Sequence, residues 1–111
     1  MEKRIIKFRS WDGNKMEYDI ERNGQFGFYL KNFHCQQFTG LKDKNGKEIY
    51  EGDIVKTETD KLMVIGWSKR FASFCIERNG WAYQHFFGEA FEANYCETVG
   101  NIYENPDLLK V

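Results

Sequence analysis

Polar and hydrophobic residues alternate in short runs along most of the chain, with β-branched and aromatic residues at many hydrophobic positions. This period of two is typical of half-buried strands. Asn-Gly pairs, which suit the tight turn of a hairpin, interrupt the pattern at residues 23–24, 45–46 and 79–80. The pattern therefore predicts a mainly β fold with three Asn-Gly hairpins. The predicted strands cover residues 5–11, 17–22, 26–30, 48–50, 53–57, 61–67, 71–77 and 81–86.

Evidence for helices is confined to the C-terminal part of the chain. Residues 88–95 place Ala and Glu at favourable positions, and Asn105 can cap a helix that begins with Pro106. We therefore predict one or two short C-terminal helices beside the β structure. The pentapeptide IERNG occurs at residues 20–24 and again at 76–80, and we interpret its recurrence as chance rather than duplication.

The composition fits a single soluble domain. With 111 residues, 41% of them hydrophobic and 17% aromatic, the chain can bury one core, so we predict one domain over residues 1–111. No apolar run approaches the roughly 20 residues of a membrane helix, and the basic start lacks the apolar segment of a signal peptide. Three widely spaced cysteines favour free thiols in a reducing cytosol. We expect a cytoplasmic protein with no membrane partner.

The stretch FTGLKDKNGKEIYEGDIVK, residues 38–56, contains the strongest turn signals. Asp43 can accept hydrogen bonds from the backbone that follows it, beside the Asn-Gly pair. Gly52 then allows a bend before a further strand, as at the corners of small SH3-like barrels. We therefore predict a β-barrel-like fold with an SH3-like portion. The balanced charges of this stretch are interpreted as a solvated hairpin. The alternative is a recognition loop built from Tyr50, Glu51 and Asp53.

Together with IIKFRSWDGNKM at residues 5–16 and VGNIYENPDLL at residues 99–109, this stretch closely resembles the signature of the YopX family of phage and prophage proteins. The resemblance rests on these three segments, whereas residues 58–96 are variable. The resemblance implies a small, largely β protein that is encoded by a bacteriophage or a prophage and acts in the cytoplasm of a bacterial host. It carries over no catalytic or binding residue, because none is assigned to the family's motif.

Residues that bind metals or act as nucleophiles are present, but none has the spacing of a known site. No Cys-x-x-Cys or His-x-x-x-His motif occurs, and no Ser lies in a Gly-x-Ser-x-Gly elbow. A nucleophile could arise only where Cys35 or Cys75 meets His85. We therefore predict no catalytic residue, no metal and no cofactor, and a Cys/His-dependent enzyme is the least favoured hypothesis. The residues considered are His34, Cys35, Cys75, His85 and Cys96.

Basic residues beside aromatic ones give the clearest indication of binding. Lys7, Arg9 and Trp11 share one face of a predicted strand, and residues 67–71 form a similar group at the tip of a predicted hairpin. Small β-barrels bind nucleic acid with such rings and cations. The favoured interpretation, however, is that Trp11 and Trp67 belong to the core while the Lys and Arg residues solvate the outer edge of the strand. Charge is also uneven, because residues 79–109 contain no Lys or Arg.

The favoured hypothesis is a non-enzymatic accessory protein that binds a host or phage macromolecule, in the first place a protein, through exposed strand edges and loops. A small nucleic-acid-binding β-barrel module is the first alternative. Self-association through uncovered sheet edges is a further expectation, with no stoichiometry fixed. The expected binding surface comprises Lys7, Arg9, Trp11, Tyr50, Glu51, Asp53, Lys69 and Arg70.

Overall fold

The computed structural model describes residues 5–77, 84–86 and 93–109, and these ranges form two antiparallel β-sheets. The strands are β1 Phe8–Trp11, β2 Met16–Tyr18, β3 His34–Lys42, β4 Glu48–Tyr50, β5 Asp53–Lys56, β6 Leu62–Ser68, β7 Ser73–Glu77, β8 Gln84–Phe86 and β9 Glu97–Asn101. The four-stranded sheet has the order β2-β1-β3-β4, and the five-stranded sheet has the order β8-β7-β6-β5-β9. The prediction of a mainly β fold is confirmed, and one of the sheets resembles half a barrel.

Helical structure in the described ranges is limited to one short α-helix and three turns of 3-10 helix. The α-helix, α1, covers Phe26–Asn32, and the 3-10 turns are Ile20–Arg22, Ala93–Tyr95 and Pro106–Leu109. The last two turns lie where short C-terminal helices are predicted, while residues 88–92 fall outside the described ranges. None of the helices described is long and apolar enough to cross a membrane.

The predicted strand over residues 26–30 is wrong, because α1 occupies this segment. The Tyr29 ring lies 5.6 Å from the ring of Phe33, four residues further along, and its hydroxyl donates a hydrogen bond of 2.6 Å to Glu17 of β2. The first Asn-Gly pair is not a hairpin either, since Asn23 accepts a hydrogen bond from the Gln25 N–H ahead of the helix. The pair at residues 79–80 lies outside the described residues.

Two strands were not predicted from the sequence. β3 lies between β1 and β4, although it contains few β-branched residues, and β9 pairs with β5 at the edge of the second sheet. A polar residue occupies a buried position of β3: Gln36 is buried and accepts a hydrogen bond from Arg9. Such a buried polar contact removes the hydrophobic alternation by which a strand is recognised.

The predicted hairpin at the second Asn-Gly pair is confirmed, and Asp43 connects it to the second sheet. One carboxylate oxygen of Asp43 accepts hydrogen bonds from the backbone N–H groups of Asn45 and Lys47, each at 2.9 Å. The other oxygen accepts one from the Thr98 N–H of β9, also at 2.9 Å. Asp43 is consequently buried, and the interpretation of this charged stretch as fully solvated is wrong for this residue.

The predicted bend at Gly52 is also confirmed, and it is where the chain passes from one sheet to the other. Gly52 has a φ angle of +84°, and its N–H donates a hydrogen bond of 2.7 Å to the carbonyl of Ile65 in β6. Its own carbonyl accepts one from the Ile102 N–H at 2.9 Å. A Cβ atom at this position would lie 3.1 Å from a ring carbon of Tyr103. Backbone conformation and available space therefore both require glycine.

Replacement of Gly52 by alanine is expected to lower the free energy of unfolding by about 2 kcal/mol, from the left-handed conformation and the contact with Tyr103. Gly46→Ala is the matched control, because Gly46 has a φ angle of +81° but no atom within 4 Å of its added Cβ. That variant should lose roughly 1 kcal/mol. Urea unfolding of both variants measures the difference, and equal losses would show that the Tyr103 contact contributes nothing.

The hydrophobic core lies on one face of the second sheet and is closed by β4. Ile49 of β4 belongs to this core, whereas the next residue, Tyr50, faces the other way against Phe38, with ring centroids 5.5 Å apart. Both side chains are buried, so β4 is covered on both faces. The core residues are Ile49, Val55, Met63, Ile65, Ile76, Ala93 and Cys96.

Candidate functional site

The β6–β7 hairpin extends beyond the described pairing on either side of it. β5 pairs with β6 as far as Val64, and the described residues of β8 pair with β7 as far as Cys75. Beyond these points, β6 and β7 continue to pair with each other as far as Ser68 and Ser73. Within the described part of the chain, residues 66–74 therefore form a two-stranded projection, which we name the hairpin tip.

The apolar inner face of the hairpin continues out of the core along this tip. Ile65 is paired with Ile76 and Trp67 with Phe74, and residues two apart on a strand share a face. Ile65 and Ile76 are fully buried, but Trp67 is 47% exposed. Its ring meets that of Phe74 edge-on, with centroids 5.1 Å apart. The tip thus exposes to solvent the same apolar face that β6 and β7 bury nearer the core.

Two basic residues follow this exposed ring in the turn. Lys69 and Arg70 are exposed in the turn, and the Arg70 guanidinium lies 5.1 Å from the centre of the Phe71 ring, which is 55% exposed. The buried hydroxyl of Ser68 accepts a hydrogen bond of 3.3 Å from the Phe71 N–H, which helps to fix the turn. The tip therefore combines apolar contact area with positive charge, a combination suited to a partner that is apolar and acidic.

The other basic group from the sequence faces inward. Lys7 forms an ion pair with Glu48 and lies 4.9 Å from the centre of the Phe38 ring. Trp11 is partly buried, and its ring centroid is 6.5 Å from that of Tyr103. These residues do share a face, as predicted, but that face packs against the protein's own rings.

Arg9 is the most deeply placed of the basic residues in the predicted surface, with 3% of its surface exposed. Its guanidinium donates hydrogen bonds to Asp53 at 2.7 Å, to Gln36 at 2.8 Å and to the carbonyl of Glu51 at 3.2 Å. It also lies 4.7 Å from the centre of the Tyr50 ring. Arg9 thereby joins β1 of the first sheet to β5 of the second, and it is not available to a partner.

The proposed recognition loop of Tyr50, Glu51 and Asp53 is part of the same interior. Asp53 is 1% exposed and accepts a second hydrogen bond, 2.8 Å, from the Tyr50 N–H. Glu51 accepts a hydrogen bond of 2.9 Å from the Gln37 N–H. Burial raises the pKa of the Tyr50 hydroxyl, which stays protonated. These residues therefore stabilise the Gly52 bend. Of the predicted binding surface, Lys69 and Arg70 are the members that are exposed.

The groups considered for catalysis do not form a site in the described structure. Cys35 lies on β3 of the first sheet and Cys75 on β7 of the second, and burial raises the pKa of both thiols. A raised pKa favours the thiol over the reactive thiolate. The backbone of His85 pairs with Ile76 rather than with Cys75. Among the described residues, no group of three His, Cys, Asp or Glu side chains is placed to hold a metal ion.

Sequence reasoning only partly identifies the rings of the candidate site. It places Trp67 and Phe71 at the predicted hairpin tip but favours the core for Trp67, and it does not include Phe74. The signal that could have found Phe74 is the hairpin itself: four residues, 69–72, separate the paired Ser68 and Ser73, which places Phe74 opposite Trp67.

The two packed antiparallel sheets and the projecting, ring-bearing hairpin define a small mainly β protein with a candidate binding surface and no described catalytic centre. The sequence model of the YopX protein family matches residues 19–110, and the chain therefore belongs to the YopX family. The resemblance inferred from the three sequence segments is confirmed.

Solved structures of similar proteins agree with this assignment. Protein EF1440 from Enterococcus faecalis is 25% identical, with a TM-score of 0.67 over 97% of this chain and 100% of that one. Protein yopX from Bacillus subtilis is 19% identical, with a TM-score of 0.57 over 95% of this chain and 96% of that one, and this second likeness concerns the fold alone. No curated protein matches the sequence.

Proposed function

We propose that this member of the YopX family is a non-enzymatic accessory protein, encoded by a phage or prophage, that binds another protein through the hairpin tip. The proposal treats residues 1–111 as a single binding domain acting in the cytoplasm of a bacterial host. One observation carries it: Trp67 continues the buried face of β6 into solvent and remains 47% exposed, just before the exposed cations Lys69 and Arg70 of the turn.

Protein binding is the function that suits this surface because Trp and Arg are over-represented among residues that dominate binding energy. An exposed Trp on a sheet face gains substantial free energy when a partner removes it from water. Two exposed cations, Lys69 and Arg70, follow Trp67 in the turn and could select an acidic partner. The raised pKa of the Cys35 and Cys75 thiols, which disfavours the reactive thiolate, supports the non-enzymatic part of the proposal.

Nucleic-acid binding is the second candidate, because the tip also offers rings and cations that could contact bases and phosphates. Two observations weaken it. Arg9 and Lys7, which the sequence suggested as part of a basic surface, are committed to Asp53 and Glu48. The net charge of the chain is -1, so the two cations of the tip act without a general attraction to nucleic acid.

Comparative capture from bacteria that carry the corresponding phage tests the proposal. The wild type, the tip variant Trp67→Ala/Arg70→Glu and the control Phe28→Ala/Lys31→Glu are each purified at low salt, with and without nuclease. The control removes a ring of similar exposure and an exposed cation from α1. We expect a nuclease-resistant protein that the wild type and the control retain, and that the tip variant loses by at least about tenfold.

Equal retention of that protein by the tip variant would contradict the proposal. A partner that disappears with nuclease and with the tip variant would instead support nucleic-acid binding. Circular dichroism of the three proteins shows whether the tip variant keeps the native fold, which is expected because both changed side chains are exposed.

A further inference from the structure

We infer that the occupant of the hairpin tip is an extended protein segment, with apolar residues alternating with acidic ones, that lies alongside β6 as an additional strand. The inference rests on the proposed function and specifies its partner. It follows from three features of the tip: the direction of the backbone groups of β6, the exposed rings on one face of the tip, and the charge of its turn.

The backbone of β6 has an open edge at the tip. The Ile65 carbonyl accepts the Gly52 N–H, so the backbone groups of Ile65 point toward the side where β5 begins. Residues two apart on a strand direct these groups to the same side, and Trp67 therefore points its N–H and carbonyl there as well. β5 begins at Asp53 and its register with β6 ends at Val64, so no described strand pairs with Trp67 on that side.

An extended segment is the partner that uses such an edge fully. Backbone hydrogen bonds to a free edge supply affinity, and alternate side chains of the added strand supply specificity. One face of the added strand would place its side chains beside the exposed ring of Trp67, which packs edge-on against the half-buried ring of Phe74. Apolar residues at every second position of the partner satisfy this requirement.

The positive charge of the tip favours acidic residues at the remaining positions of the partner segment. Lys69 and Arg70 are exposed in the turn directly after β6 and are close in sequence to the open edge. Carboxylates on the added strand would meet these cations, whereas lysines would be repelled. From residue 79 to residue 109 the sequence contains no Lys or Arg, so that part of the chain adds no positive charge to the tip.

The test uses a fluorescein-labelled eight-residue peptide that alternates valine and glutamate, with binding followed by fluorescence anisotropy. The same peptide with lysine in place of glutamate and a labelled eight-nucleotide oligothymidine are the comparison probes. Wild-type protein should bind the glutamate peptide at least about tenfold more tightly than either comparison probe. Trp67→Ala and Lys69→Glu/Arg70→Glu should each weaken that binding at least about tenfold.

Matched variants show that such losses are local. Phe28→Ala removes a ring of similar exposure, and Lys31→Glu/Lys42→Glu makes the same change of charge on α1 and β3, so neither should alter the affinity. Amide hydrogen exchange reports the strand addition directly, because the Trp67 amide should exchange more slowly when the glutamate peptide is bound. Peptide binding that leaves the exchange of this amide unchanged would overturn the added-strand geometry.

Other results would overturn the inference in distinguishable ways. Equal binding of the lysine peptide would remove the role of charge, and tip-dependent binding of oligothymidine alone would assign the tip to nucleic acid. A dimer in light scattering that Lys69→Glu/Arg70→Glu separates into monomers would make the occupant a second copy of this chain. If no probe binds, this inference fails, whereas the proposed function fails only if capture is also independent of the tip.

Discussion

Replacement of Arg9 by methionine is expected to lower the free energy of unfolding by about 3–5 kcal/mol, because it leaves the Asp53 carboxylate buried without its charged partner. Arg9 donates three hydrogen bonds, to Asp53, Gln36 and the Glu51 carbonyl, and it is almost fully buried. A loss of this size is a large part of the stability of a small domain. Urea unfolding at pH 7 measures it.

The double variant Arg9→Met/Asp53→Asn distinguishes the effect of an unpaired buried charge from the effect of the other contacts that Arg9 makes. The asparagine keeps an oxygen for the Tyr50 N–H, which Asp53 accepts at 2.8 Å, and no buried charge remains. This variant should regain at least about half of the stability that Arg9→Met loses. If the double variant is less stable than Arg9→Met alone, the charged pair does not account for the effect.

The second large effect is expected at Asp43, whose carboxylate connects the β3–β4 turn to β9. Asp43→Ala removes the acceptor of three backbone N–H groups and should cost about 2–4 kcal/mol in the free energy of unfolding. Asp43→Asn should cost about 1–2 kcal/mol, because one oxygen can still accept from Asn45 and Lys47 while the amide group faces the Thr98 N–H. Amide hydrogen exchange measures the difference: the amides of β9 should exchange more slowly in Asp43→Asn than in Asp43→Ala. Equal exchange rates would contradict the smaller cost expected for Asp43→Asn.

The stability that Asp43 contributes should also depend on pH. Burial raises the pKa of its carboxyl, but the backbone N–H groups of Thr98, Lys47 and Asn45 together lower it by more, so the folded pKa lies below its usual value. This contribution is therefore complete above the unfolded pKa of about 3.9 and is lost as the pH falls through the lower folded pKa. The stability difference between the wild type and Asp43→Asn should narrow in that range, and a difference that stays constant would contradict the assignment.

The sequence predicts the parts of the fold that depend on local backbone chemistry. The Asn45-Gly46 turn, the Asp43 contacts within it and the bend at Gly52 follow from the conformational preferences of those residues. The segments that carry the family resemblance also meet in space, since Arg9, Asp53 and Tyr103 come from three different segments around one bend. Residues 38–56 are therefore mainly a structural element.

Elements that depend on tertiary contacts could not be predicted in the same way. The first two residues of IERNG begin a 3-10 turn at Ile20 but end a strand at Ile76, so the same Ile-Glu pair adopts different structures in different surroundings. α1 contains aromatic residues that favour strands, yet it packs against β2 and β3 as a helix.

The candidate site shows the same division between local pattern and tertiary contact. Alternation correctly placed Lys7, Arg9 and Trp11 on one face, but the sequence could not indicate whether that face was covered. It also could not show that the pairing of β5 with β6 ends at Val64, short of the β6–β7 turn, because strand register is a tertiary property. Trp67 lies beyond the end of this pairing and is exposed, whereas Arg9 is buried.

Site-specific photo-crosslinking in phage-carrying bacteria tests the central claim most directly. Benzoylphenylalanine replaces Phe71 at the hairpin tip in one protein and Phe28 on α1 in another, since both rings are more than half exposed. We predict a protein crosslink from position 71 that Arg70→Glu weakens and that position 28 does not give. A protein crosslink from position 28, with none from position 71, would contradict the assignment of the hairpin tip as the binding surface.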